Sequence, residues 1–205
     1  EEIMAIFKPE VKSNGSFTNY FGVCEFGILE FTDKSNEFDW CDLFLEMRVK
    51  QKDSDYERTL QIKGSYEKEG GKITGGSCLK RLYQFFDELG CGAGINVDGG
   101  WEDAEGNAIE DIAAYLADNH LSSIIPDTDP SFDFVGYFYK EHPKTPGGKS
   151  YTRMWNKIYK NTEDNKAKLQ QDAEWMKSKG YIKEMKSDDS PVSGNTLSGS
   201  GLANL

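Results

Sequence analysis

The chain has 205 residues, enough for one domain with a full core, and its 35 acidic against 24 basic residues give a net charge of −11. No apolar run approaches the ~18 residues that a membrane-crossing helix needs. Cys24, Cys41, Cys78 and Cys91 form no close pair and only two histidines accompany them, which argues against a zinc site and for free, mostly buried thiols. The charge is uneven: twelve acids and no Lys or Arg lie between Arg81 and Lys140, whereas residues 140–160 hold six basic residues and one acid. Binding follows the local field, so overall acidity does not exclude a polyanionic ligand.

Residues 1–18 are polar, with a Ser-Asn-Gly turn, and read as an arm. Residues 20–31 (YFGVCEFGILEF) predict a strand in which Gly22 and Gly27 signal a bend or bulge. In residues 40–50, Cys41, Leu43, Leu45, Met47 and Val49 alternate with Trp40, Asp42, Phe44, Glu46, Arg48 and Lys50, the period of a half-buried strand. A third strand is expected over 56–66, with Leu60 and Ile62 inward, then a loop at EKEGGK. Ser77 is placed to cap a helix bearing Leu79, Leu82, Phe86 and Leu89, which Gly90 stops. A Gly- and Asp-rich excursion at 90–106 precedes a second helix, with Asn107 and Glu110 as a variant capping box and Ile109, Ile112 and Leu116 as its stripe. Pro126 and Pro130 close this insertion.

Next come two aromatic-rich runs, FDFVGYFYK and SYTRMWNKIY, joined by a Pro/Gly loop, which read as a hairpin over 132–159. Strand side chains alternate faces, so Lys149, Tyr151, Arg153, Trp155, Lys157 and Tyr159 share one face, and Ser150, Thr152, Met154, Asn156 and Ile158 form the more core-like one. Cations interleaved with flat rings suit an unpaired nucleic-acid strand, because cations track phosphates while rings stack on bases. Aromatics are also favoured in strands for packing alone. A third helix starts near Thr162, carries Leu169, Ala173 and Met176, and ends at Gly180. Residues 184–205 are rich in Ser and Gly and read as a disordered tail.

Without the acidic excursion the order is three strands, a helix, two strands and a helix. That order predicts a mainly β fold, a five-stranded OB-like barrel, with a helical acidic insertion at about 90–130 and a C-terminal helix. The expected layout is an arm (1–18), an OB domain (19–160), a helix (161–183) and a tail (184–205).

The run Val135-Gly136, a basic residue at Lys140, a loop ending Gly148-Lys149 and then Tyr151-Thr152 resembles the last two strands of bacterial and phage single-stranded DNA-binding proteins. The resemblance covers the hairpin well and the first three strands only in order and alternation. It implies a non-catalytic protein of phage DNA replication or recombination, acting in the host cytoplasm, with single-stranded DNA and replication or recombination proteins as partners and homo-oligomerisation left open. The tail departs from that family. Its acids are Asp188 and Asp189 near the start, and it ends Gly-Leu-Ala-Asn-Leu without an acidic tip.

The candidate nucleic-acid contacts are therefore Tyr151, Trp155 and Tyr159 for bases, with Lys140, Lys144, Lys149, Arg153 and Lys157 for phosphates. Trp40, Phe44, Arg48 and Lys50 extend the groove, although Asp42 and Glu46 share their face. No catalytic residue, metal or cofactor is expected. Gly90-Cys91-Gly92-Ala93-Gly94 follows a helix, unlike a phosphate loop. Asp127, Asp129 and Asp133 lack the central Gly and distal Glu of a calcium loop. Glu102, Asp103 and Glu105 read as exposed turn acids. The competing reading is an OB-like protein-interaction module that presents its acidic surface, with the aromatic hairpin packed against the last helix.

Overall fold

The protein is described by a computed structural model covering residues 21–54, 57–121 and 129–185; the expected arm, Pro126, Asp127 and the tail beyond residue 185 lie outside the described residues. Strands β1 (Gly22–Asp33), β2 (Leu43–Gln51) and β3 (Glu57–Gly64) form a meander. A short hairpin follows, β4 (Glu67–Glu69) and β5 (Lys72–Gly75), then helix α1 (Ser77–Leu89). The acidic excursion contains β6 (Gly94–Ile95), β7 (Trp101–Glu102), β8 (Ala108–Ile109) and helix α2 (Ile112–His120). The chain then forms β9 (Phe134–Glu141), β10 (Tyr151–Lys160) and helix α3 (Glu163–Ser178).

The main sheet has the order β10-β9-β1-β2-β3, antiparallel throughout, and curls into a nearly closed five-stranded barrel of the OB-like kind. Its interior is built by alternation. Leu43, Leu45, Met47 and Val49 of β2 and Leu60 and Ile62 of β3 all point inward and are buried. In β1 the inward set changes from Phe26 and Ile28 to Phe31, because one extra residue bulges between Ile28 and Glu30. Gly27 serves a different need: a Cβ there would lie 2.8 Å from Pro130 side-chain carbons, so only glycine lets residues 130–131 cross the outside of β1. Gly136 of β9 admits the Phe26 ring and the Met154 methyl into the barrel.

The edge strands β3 and β10 meet without a hydrogen-bonded ladder, and α1 bridges them. Arg81 donates to the Lys63 carbonyl of β3 at 2.7 Å, and Gln84 donates to the Ile158 carbonyl of β10 at 2.6 Å. The Glu88 carboxylate accepts from the Lys160 amide at 2.7 Å. Three polar side chains thus satisfy edge groups that would otherwise invite another strand. The apolar side of α1 (Cys78, Leu79, Leu82, Phe85, Phe86) plugs the barrel.

Several local expectations are corrected. The N-cap of α1 is Gly76, at φ 140, and Ser77 is already helical. EKEGGK is a hairpin rather than a loop, since Gly70 and Gly71 take positive φ (58 and 82) and make a tight turn. Asp111 caps α2 by accepting from the Ala114 amide at 3.0 Å, while Asn107 bonds the Asp103 carboxylate instead. Ile109 belongs to β8 and packs at the margin of the core. The acidic excursion is integral to the fold: Ile112 and Leu116 enter the main core, and Trp101 packs on Phe86 at 6.1 Å between ring centres.

Helix α3 begins as expected, with Thr162 accepting from the Asn165 amide at 3.2 Å. It lies across the outer face of β9 and β10, where Leu169, Ala173 and the following Ile182 build a second core with Val135, Tyr137 and Tyr159. Residues 183–185 then run beside the end of β9, with the His142 amide on the Lys183 carbonyl (3.1 Å) and the Met185 amide on the Lys140 carbonyl (2.8 Å). No helix among the described residues is long and apolar enough to cross a membrane.

Candidate functional site

The predicted binding face of β10 exists but is divided. Tyr151, Arg153, Trp155, Lys157 and Tyr159 do lie on the side away from the barrel interior. A two-residue irregularity between Met154 and Ile158 preserves that alternation. Helix α3 covers the second half. Tyr159 is 3% exposed, and its hydroxyl donates to Asp172 at 2.9 Å. Lys157 pairs with the same carboxylate at 2.7 Å. Burial opposes the Lys157 charge, yet the bonds to Asp172 and Tyr159 hold its pKa above the ordinary lysine value. Trp155 is half-buried against this second core, with the Lys157 ammonium 5.8 Å from its ring centre.

The first half stays open. Tyr151 is 57% exposed, with the Arg153 guanidinium 5.7 Å from its ring centre. Arg153 Nε donates to Glu141 at 2.9 Å, an exposed pair that orients the guanidinium. Lys144 and Lys149 line a shallow groove with Tyr151 and Arg153 in the β9–β10 loop, and neither has a carboxylate partner among the described residues. Lys140 sits half-buried on β9, on the alternation that faces the barrel interior, opposite Thr152.

On β2 the outcome is also split. Arg48 is bound by Glu30 (2.9 Å) and Glu57 (2.8 Å), which raise its pKa, Glu57 contributing most. Lys50 pairs with Asp129 of the acidic block. Burial works against the Glu46 charge, but hydrogen bonds from Lys34 and Gln61 keep its carboxyl below the usual range. The outer face of the meander is therefore largely neutralised.

Beyond it lies an aromatic cluster in the β1–β2 connection. Phe38, Trp40 and Phe44 sit with ring centres 5.2–5.9 Å apart, and Trp40 is 57% exposed. The Lys63 ammonium lies 4.9 Å from the Phe44 ring centre and 5.6 Å from that of Trp40.

Lys63 connects the two regions. It also lines the cleft between β3 and β10, together with Arg58, Arg81 and Arg153. Arg153 in turn lines the β9–β10 loop groove. A continuous strip therefore runs from Phe38 and Trp40, over Lys63 and the seam, to Arg153, Tyr151, Lys149 and Lys144. Phe38, Lys63, Arg58 and Arg81 were not anticipated. Lys63 continues the outward alternation of β3 and was legible in that sense, whereas Arg81 sits on a helix and reaches the seam only through the tertiary fold.

The acids of the excursion are occupied in turns. Asp103 accepts from the Glu105 and Asn107 amides at 3.0 and 2.8 Å and from the Asn107 side chain at 2.9 Å; its side-chain bond to Asn107 is the largest cause holding its carboxyl below the ordinary range. Glu102 accepts from Asn96 at 2.7 Å. Among the described residues no group of three or more His, Cys, Asp or Glu is arranged to hold a metal ion. Cys41 and Cys78 are buried and Cys24 and Cys91 half-buried, all as free thiols; burial raises the pKa of Cys24, Cys78 and Cys91, which disfavours the reactive thiolate. Comparisons with protein-family models, curated proteins and solved structures gave no match.

Proposed function

We propose that this is a non-catalytic protein that binds single-stranded DNA along the strip from Trp40 to Tyr151, in phage DNA replication or recombination. The observation that carries the reading is the alternation of exposed rings and cations on one continuous path, in a chain whose net charge is −11. Trp40 and Tyr151 stack on bases, with Phe38 and Phe44 supporting Trp40. Lys63, Arg153, Lys149 and Lys144 contact phosphates. Stacking rings contribute about 1–3 kcal/mol per base and accept any base, so little sequence preference is expected. Trp155, Lys157 and Tyr159 have a structural part in this reading: they dock α3. Arg48 and Lys50 stay with their carboxylates.

Fluorescence-anisotropy titration with labelled oligo-dT, duplex DNA and single-stranded RNA at two salt concentrations tests the proposal. Tight, salt-sensitive binding to oligo-dT over duplex is the expected result. Equal affinity for RNA would replace the DNA assignment, and no binding at low salt would refute the reading.

The cover that α3 places over Tyr159 and Lys157 favours a second reading, a protein-interaction module that uses its acidic surface. Charge reversal at Lys149 and Arg153 separates the two. It removes nucleic-acid binding under the first reading and is silent under the second.

A further inference from the structure

The seam between β3 and β10 is a cleft of about 390 Å3 whose lining includes Arg58, Lys63, Arg81 and Arg153 but no carboxylate. That sets it apart from the neighbouring outer face, where Glu30, Glu46, Glu57 and Asp129 neutralise the cations. Glu141 meets Arg153 but is not part of the cleft wall. Thr152 and Asn156 add neutral polar groups.

Arg81 carries the second observation. It donates to the Lys63 carbonyl at 2.7 Å, yet its Nε–H is buried with no hydrogen-bond partner. A buried donor without an acceptor is unfavourable, and the adjacent N–H groups of a guanidinium match the oxygens of a phosphate. Four cations around one cleft, with one buried donor unused, describe a site that lacks its anion.

We propose that the seam is a phosphate-binding notch. Arg81 Nε donates to a phosphate oxygen, Arg58, Lys63 and Arg153 neutralise the charge, and Thr152 and Asn156 bond at the rim. The assignment of that phosphate to a DNA backbone, between bases stacked near Trp40 and near Tyr151, rests on the proposed single-strand function. The anion chemistry of the notch does not.

The test uses the full chain, 15N-labelled, with the Arg81 Nε–H signal assigned through Arg81→Lys and followed during titration with inorganic pyrophosphate. In parallel, oligo-dT affinity is measured over a salt series for the wild type and for Asn156→Asp. That substitution adds a carboxylate to the cleft and keeps the Arg81–Lys63 bond. A saturable shift of the Arg81 signal in the wild type, weakened several-fold in Asn156→Asp, is expected, and the log–log salt slope for oligo-dT should fall by about 0.7 for one phosphate lost. A pyrophosphate response without oligo-dT binding supports the notch and refutes the single-strand function. Oligo-dT binding with an unmoved Arg81 signal and an unchanged slope overturns the notch and leaves that function standing.

Discussion

Two tyrosines on one face of β10 should respond to alanine in opposite ways. Tyr159 is 3% exposed, packs with Val135, Leu169 and Ala173, and bonds Asp172. Removing a buried aromatic ring of this kind costs about 3–5 kcal/mol. In a chain of this size each kcal/mol lowers Tm by about 2–4 °C, so Tyr159→Ala should lower it by roughly 6–20 °C. Tyr151 is 57% exposed and lacks such packing, so Tyr151→Ala should change stability by no more than about 0.5 kcal/mol. Binding should show the reverse order. Loss of one stacked base, about 1–3 kcal/mol, weakens oligo-dT affinity roughly 5- to 150-fold in Tyr151→Ala. Tyr159→Ala, measured well below its Tm, should bind much more nearly like the wild type. Thermal melts and anisotropy titrations on the same preparations give both quantities. If Tyr159→Ala melts like the wild type but fails to bind, α3 does not cover that face, and the division of β10 into a binding half and a packing half is refuted.

Replacing Leu169, which is fully buried between α3 and the sheet, with Ala should cost about 2–5 kcal/mol. It should also raise hydrogen exchange at the helix amides before those of β2; uniform exchange would show that α3 is not a separate unit. Gly27→Ala should destabilise by about 1–3 kcal/mol, because the new methyl meets Pro130, and an unchanged denaturant midpoint would contradict that crossing. Glu25 receives hydrogen bonds from Lys52 and Lys166, in that order of effect, and its pKa is drawn down to about 2. A carboxyl depressed on folding stabilises the protein above its unfolded value of about 4.5, and that contribution fades as pH falls toward 2. The stability gap between wild type and Glu25→Gln should therefore be widest near neutral pH and close between pH 4.5 and 2. A gap that is constant over that range would refute the ion-pair explanation.

Period-two alternation in β2 and β3, the glycine stop after α1 and the Thr162 cap are local signals, and they place the barrel strands and two of the helices without reference to the rest of the chain. Alternation also identifies the outward side of β10, because a strand's faces are set by backbone geometry alone. What covers a face is not a local property. Leu169 and Ala173 read as an apolar stripe, but only the packed structure shows that the stripe meets Tyr159 and Val135 and removes Lys157 from solvent. Charge is decided in the same way. Arg48 and Arg153 are equally basic in sequence, yet Glu30 and Glu57, from two other strands, hold Arg48, while Arg153 stays at the margin of a cleft without acids. Arg81 is the extreme case. Nothing near it in the chain marks a ligand site, and its buried Nε acquires meaning only where the edges of β3 and β10 meet over α1. Residue order determines the elements and their faces through short-range geometry. Which faces remain open, and which charges remain uncompensated, depends on long-range packing that no local pattern encodes.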